Sequence, residues 1–323
     1  MAAAPTNRPR RRGATAALAL LLAVAMLVSA CSSSEGGAAS TTAKPPTERP
    51  STSTTTTPPA ELTEDRPYEV HVPPGYEQGT PAPLLVLLHG YGTTGEIQNA
   101  YLGLTEAADE RGMLLVHPDG TKNRIGKQFW NATDACCGGP NPTVDDSAYL
   151  TAVIAEISDA YDVDPARVFI VGHSNGGFMA YRMACDHADV IAGIVSLEGA
   201  TFEDPDDCSP SEPVATLEVH GTADTTIRYD GGDIVGKDYP SAEETATTWA
   251  TYNGCSTTPA DAEPATRPVV EGLDDATVTS YATGCDAGGH TELWTQPDGV
   301  HIPRWHPTFK AQILDYLLAH PKP

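Results

Sequence analysis

Two kinds of apolar pattern alternate from about residue 63 to the C-terminus. Short runs rich in Val, Ile and Leu predict strands at Tyr68–Val72, Leu84–Leu88, Met113–His117, Val168–Gly172, Ile191–Leu197, Thr216–His220 and Glu292–Gln296. Between them, apolar residues recur every three or four positions and predict helices over Asn99–Arg111, Ser147–Tyr161, Asn175–His187, Ala242–Asn253 and Pro307–His320. Continuous apolar strands separated by amphipathic helices suit a largely parallel sheet, because helices cover both of its faces. Asp146 stands where an N-cap belongs for the second helix, and Asp164-Pro165 is expected to close the loop after it. Residues 63–323 are enough for one α/β domain, with no repeat and no second linker in view.

The pattern is different before residue 63. Arg8, Arg10, Arg11 and Arg12 precede an uncharged apolar run from Ala14 to Leu27. That run falls short of the roughly twenty apolar residues that span a bilayer comfortably. It reads as the core of a signal peptide covering residues 1–30. The sequence Val28-Ser29-Ala30-Cys31 resembles the bacterial lipobox, which implies that Cys31 becomes an acylated N-terminus. The alternative is an ordinary signal peptide cut after Ala30, which would leave a lone thiol in an oxidising compartment. From Ser32 to about Glu61 the chain is mostly Ser, Thr, Ala, Pro and Gly. Such a segment cannot bury enough apolar surface to offset its ordering entropy. Residues 31–62 are therefore expected to be a lipidated cysteine and a disordered tether, biased by its prolines towards extended conformations. The expected location is the outer side of the cell membrane.

Charge narrows the partners. The chain carries 19 Lys and Arg against 43 Asp and Glu, a net charge of −24. Cleaving the four leader arginines leaves 15 basic against 43 acidic residues, or −28. A surface so acidic disfavours nucleic acid, polyanionic substrates and electrostatic attachment to membranes, so attachment would fall to the lipid. A neutral substrate and a monomer are the expectation. Of seven cysteines, Cys136, Cys137, Cys185, Cys208, Cys255 and Cys285 remain once Cys31 is set aside, an even number suited to up to three disulfides in an exported chain. No CxxC or His-x-x-x-His spacing points to a metal. Cys255 and Cys285 bracket one segment and are expected to pair. The adjacent Cys136 and Cys137 are expected to reach Cys185 and Cys208 instead of each other, since disulfide geometry disfavours so small a ring.

Three motifs carry candidate chemistry, each at the carboxyl end of an expected strand, where ligands gather in open α/β sheets. Gly172-His173-Ser174-Asn175-Gly176-Gly177 joins a buried strand to a helix. A serine on so sharp a turn needs small neighbours, and the glycines supply them. Ser174 is the candidate nucleophile. His89-Gly90-Tyr91-Gly92 follows the Leu84–Leu88 strand and suits an oxyanion hole, with amides from Tyr91 and from Asn175. His89 is expected to hold that loop. A serine hydroxyl also needs a base, and the base needs a carboxylate to fix its tautomer. Asp224 ends the Thr216–His220 strand through Gly221-Thr222-Ala223, with Asp230 and Asp233 the weaker readings. His301 follows the last strand and is the candidate base. His306 is its nearer rival, and His290 precedes that strand.

At these residues the chain resembles the secreted polyhydroxybutyrate depolymerases and the feruloyl and acetylxylan esterases, a group with the α/β-hydrolase fold. The resemblance runs through Tyr68-Glu69-Val70-His71-Val72-Pro73, His89-Gly90, Trp130, Cys136-Cys137-Gly138, Val144-Asp145-Asp146 and Asp164-Pro165-Ala166-Arg167-Val168. It continues in Gly172-His173-Ser174-Asn175-Gly176-Gly177 and His220-Gly221-Thr222-Ala223-Asp224. It implies a cofactor-free serine ester hydrolase with Ser174, Asp224 and His301 as its triad. The family's histidine usually follows three glycines and precedes Trp-Pro, whereas here it stands in Asp298-Gly299-Val300-His301-Ile302-Pro303. Trp130 and Trp305 are candidate aromatic walls of the substrate pocket, or else packing residues. A lipase or acyltransferase on the same fold, and a binding lipoprotein without catalysis, are the competing functions.

Overall fold

In the computed structural model, which describes residues 59–138, 143–260 and 265–323, the apolar runs become one nine-stranded sheet. Its strands are β1 Val70–His71, β2 Ala82–Leu88, β3 Leu114–Val116, β6 Val163–His173, β7 Gly193–Leu197, β8 Ala215–Gly221, β11 Ala265–Arg267, β12 Ala276–Tyr281 and β13 Thr291–Gln296. Two short hairpins, β4 Thr121–Lys122 with β5 Gln128–Phe129 and β9 Gly232–Ile234 with β10 Lys237–Tyr239, lie outside it. The spatial order is β1-β3-β2-β6-β7-β8-β13-β12-β11. The six strands from β3 to β13 run parallel, while β1, β12 and β11 join antiparallel at the two edges.

Strand alternation places the two larger of three apolar clusters among the described residues on opposite faces of the sheet, the third lying between α6 Ala242–Tyr252 and Tyr281 and Leu293. Leu84, Val86 and Leu88 of β2 face one way, with Val168 and Ile170 of β6. They pack under α4 Asp146–Ala160, α5 Asn175–Asp186 and Trp249 of α6 Ala242–Tyr252. Leu85, Leu87, Phe169 and Val171 face the other way, under α2 Gly95–Leu102, α3 Leu104–Asp109 and α7 Phe309–Ala319. Both faces are dry, which is why these strands read as unbroken apolar runs. The remaining helix, α1 Pro59–Glu64, opens ahead of the expected domain start and bonds to α4 through Thr63 Oγ1 and Glu156 Oε1 at 2.6 Å. The leader, Cys31 and nearly all of the expected tether lie outside the described residues.

Several local expectations change. The single helix expected over Asn99–Arg111 is two, because Gly103 between them takes φ 66° and ends the first. Asp145, not Asp146, caps α4 by accepting from Ala148 N. Asp146 is instead buried at the helix start, held by Arg66 and by Asn131 N at 2.7 Å. Asp164-Pro165 lies inside the long strand β6 and does not close a loop. Cys255 pairs with Cys285 as expected, but Cys136 and Cys137 pair with each other across a cis peptide, and Cys185 pairs with Cys208. The cause is local. Cys185, at the end of α5, meets Cys208 directly after the turn Pro205–Asp207, with Cα atoms 5.6 Å apart, which leaves the neighbouring cysteines only each other.

Candidate active site

Ser174 occupies the junction between β6 and α5 with φ 55° and ψ −120°. An L side chain adopts that conformation only when its surroundings impose it. A methyl group on Gly172 would stand 1.9 Å from the Gly176 carbonyl oxygen, and one on Gly176 would stand 2.2 Å from that of Leu88. The glycines of the motif are therefore demanded by backbone contact. Ser174 N donates to Leu197 O at 2.8 Å, which ties the turn to β7.

His301 and Asp224 arrive from two neighbouring strand ends. His301 Nε2 lies 2.9 Å from Ser174 Oγ, and His301 Nδ1 lies 2.6 Å from Asp224 Oδ2. Asp224 is buried, and its Oδ1 accepts from Thr226 N at 2.7 Å and Ile227 N at 3.1 Å. The loop bearing His301 is fastened to the loop bearing Asp224 by Ala223 N to Gly299 O (2.9 Å) and Asp298 N to Thr222 Oγ1 (3.0 Å). Gly299 is thus the residue that lets the altered sequence around His301 pack closely on Gly221. The rivals lie in other contacts. His290 stacks on His320 at 4.1 Å, His306 Nδ1 pairs with Thr308 Oγ1, and Asp233 accepts from Gly236 N in the β9–β10 turn. Asp230 lines a cavity of about 360 Å³ with Arg228 and Glu244.

The loop after β2 is held from beneath. His89 is fully buried; its Nε2 accepts from Gly120 N at 2.9 Å, so its Nδ1 carries the proton donated to Gly90 O at 2.8 Å. Burial lowers its pKa and keeps the ring neutral. A methyl group on Gly90 would lie 3.5 Å from Ser174 Cβ, so this loop abuts the serine. Tyr91 follows, half exposed, its hydroxyl accepting from Asn123 Nδ2 of the β4–β5 hairpin at 2.8 Å. Asn175 opens α5, where the first backbone N–H groups have no partner within the helix. Its side chain is locked to Trp130, accepting from Trp130 N at 2.7 Å and donating to Trp130 O at 2.9 Å.

The two tryptophans part company. Trp130 is not a pocket wall. It is fully buried, its Nε1 donates to His89 O at 3.0 Å, and its ring packs 5.0 Å from that of His89. Trp305 is half-buried, stacked on Phe309 at 4.3 Å, with Tyr101 contacting both it and His173.

Two further residues stand at the site, His173 of the Gly172–Gly177 motif and Glu198. His173 Nε2 lies 3.0 Å from His301 O, and burial lowers the pKa of its ring. Glu198, buried at the end of β7, brings Oε2 to 3.7 Å from His301 Nδ1. Burial pushes its pKa up to about 9. A carboxylate directly after the expected strand Ile191–Leu197 was a visible signal for it. Among the described residues, Glu198, Asp224 and His301 are also a group whose ligand atoms lie within 4.8 Å of one another. Both nitrogens of His301 are already engaged, with Asp224 and with Ser174.

The arrangement can pass a proton from a hydroxyl to an imidazole steadied by a carboxylate. Comparison with known proteins agrees with the fold. NocK of Nocardia uniformis subsp. tsuyamanensis is 33% identical over 182 residues, 54% of this chain and 50% of NocK. Feruloyl esterase B of Piromyces equi is 28% identical over 232 residues, 69% of this chain and 42% of that protein. The chain thus spans half or less of either relative. Among solved structures, an acetyl xylan esterase from Aspergillus awamori superposes with a TM-score of 0.57 at 14% identity, over 77% of this chain and 93% of that one. The model of the alpha/beta hydrolase family matches residues 85–318. The chain belongs to the alpha/beta hydrolase family.

Proposed function

We propose that the protein is a serine carboxylic ester hydrolase working through an acyl-enzyme. The reading rests on one observation, the unbroken chain from Ser174 Oγ through His301 to Asp224 at 2.9 and 2.6 Å. Ser174 Oγ attacks the ester carbonyl carbon while His301 Nε2 takes its proton. Asp224 Oδ2 accepts the Nδ1 proton, fixes the tautomer and stabilises the imidazolium. The negative oxygen of the tetrahedral adduct receives the Asn175 amide and the Tyr91 amide, worth about 3–4 kcal/mol for one good donor. His301 then protonates the leaving alcohol, and a water activated the same way releases the acid. No step calls for a cofactor.

For substrates, the names of the relatives favour feruloyl or acetyl esters on polysaccharide, and the resemblance in sequence adds hydroxybutyrate oligoesters. The three disulfides support export. The leader and Cys31 support attachment by lipid to the outer side of the membrane. The nucleophile is tested by labelling with an alkyl phosphonofluoridate and mapping the adduct by peptide mass. One equivalent on the Ser174 peptide is expected, and none in S174A. Labelling of another serine, or equal labelling of S174A, would reject the assignment.

A further inference from the structure

Glu198 has no part in the relay above, yet it is buried at its centre. It follows β7, the strand between β6, which leads to Ser174, and β8, which leads to Asp224. Ser174 N donates to Leu197 O at 2.8 Å and Glu198 N donates to Val219 O at 2.9 Å, so β7 is fastened to both neighbours at the level of the site. Glu198 also takes φ 57°, in the left-handed region. Ser174 (φ 55°) and Asp298 (φ 56°), both at this site, are two of the three other non-glycine residues to do so among those described. Such backbone persists where the surrounding structure imposes it and gathers at functional sites.

The carboxyl group reaches both histidines. Glu198 Oε2 is 3.3 Å from His173 Nε2, which also contacts the His301 carbonyl oxygen at 3.0 Å. The same Oε2 is 3.7 Å from His301 Nδ1, the nitrogen that Asp224 holds at 2.6 Å. Two carboxyl groups from adjacent strand ends therefore converge on one ring nitrogen. Resting on the triad reading above, we propose that Glu198 is a reserve acid of the triad. It is a positioning residue that steadies the His301 loop through His173 and accepts the Nδ1 proton of His301 when Asp224 does not.

Its surroundings explain why it stays in reserve. Burial raises its pKa most; His301 and His220 oppose that rise, and Asp224 and Glu218 add to it. His173 and the Tyr101 hydroxyl face it as well. Burial, with the neighbouring carboxyl groups adding to it, keeps Glu198 protonated near pH 7, while Asp224 holds the Nδ1 contact at 2.6 Å. Removing Asp224 removes one of the influences that keep Glu198 protonated, so its pKa moves down from that raised position.

The test compares kcat and KM for a short-chain nitrophenyl ester over about pH 5 to 10 in wild type, D224A, E198Q and D224A/E198Q, with S174A as the zero. D224N and D224N/E198Q accompany the alanine variants in case those are misfolded. The expected result is that D224A keeps a kcat at least about 100-fold above the double variant at similar KM. That activity should rise with pH through an ionisation that the double variant lacks. E198Q alone lowers kcat by a few-fold. Loss of a triad carboxylate with no substitute costs about 10⁴-fold. D224A and D224N as slow as their E198Q doubles, with no such ionisation, would overturn the reserve role. Wild type that turns over no ester at all would instead overturn the triad reading on which it rests.

Discussion

Trp130 illustrates how much of this site is support. Its indole N–H holds the His89 carbonyl, its backbone holds the Asn175 side chain at both ends, and Cys136 Sγ accepts from Asn175 Nδ2 at 3.5 Å. One buried residue thus connects the loop bearing Tyr91 with the first turn of α5. W130F removes the N–H and keeps most of the ring. It should lower the unfolding free energy by about 1–3 kcal/mol, since the buried His89 carbonyl loses its partner. In enzyme kinetics it should lower kcat more than it changes KM, because the proposed oxyanion donors lose their footing. A changed KM at unchanged stability would mean that the ring touches substrate after all. Urea unfolding and initial-rate kinetics on the same samples decide this. The sequence could present Trp130 only as an aromatic residue near Cys136. Whether an indole faces a pocket or a core depends on what packs above it, and here that cover comes from residues some forty positions away on each side.

At the scale of elements, the strand ends were readable because the chemistry obeys the sheet. Leu84–Leu88 and Val168–Gly172 have both faces buried and so read as apolar without a break, which set the positions of Gly90 and Ser174. β12 was not readable. Ala276–Tyr281 mixes buried and half-buried positions and contains two threonines and a serine, so no apolar run marks it. Gly103 divides a stretch whose helical period continues across it, because a left-handed residue turns the chain without disturbing the spacing of Leu102 and Leu104. The disulfides were the hardest, since a pairing is decided by which elements meet. The Cys185–Cys208 bond ties the end of α5 to the loop after β7 across 23 residues. On loop-closure entropy its removal in C185S/C208S should cost about 3 kcal/mol. The urea midpoint should fall, with a slope no smaller than that of wild type because the freed unfolded chain is less compact. An unaltered midpoint would show that packing alone holds that end of the helix.

Taken whole, the proposed reaction on a neutral ester belongs to a very acidic chain. The chain's net charge of −24, or −28 on removal of the proposed leader, repels anionic surfaces, so under the proposed anchoring the hold on a membrane falls to Cys31. Acyl chains contribute about 0.8 kcal/mol per buried methylene, and two or more make a stable anchor. C31A is therefore expected to move from the detergent phase to the aqueous phase in a partition assay. Retention of C31A in the detergent phase would rule out the lipid anchor. Such a tethered domain would meet neutral esters at the cell surface. Whether Ser174 cuts them is decided by turnover of a short-chain nitrophenyl ester by wild type and by Ser174→Ala. Saturable hydrolysis by wild type is expected, with a loss of about 10⁴-fold or more in the variant. Equal rates in the two proteins, or no hydrolysis by either, would contradict it.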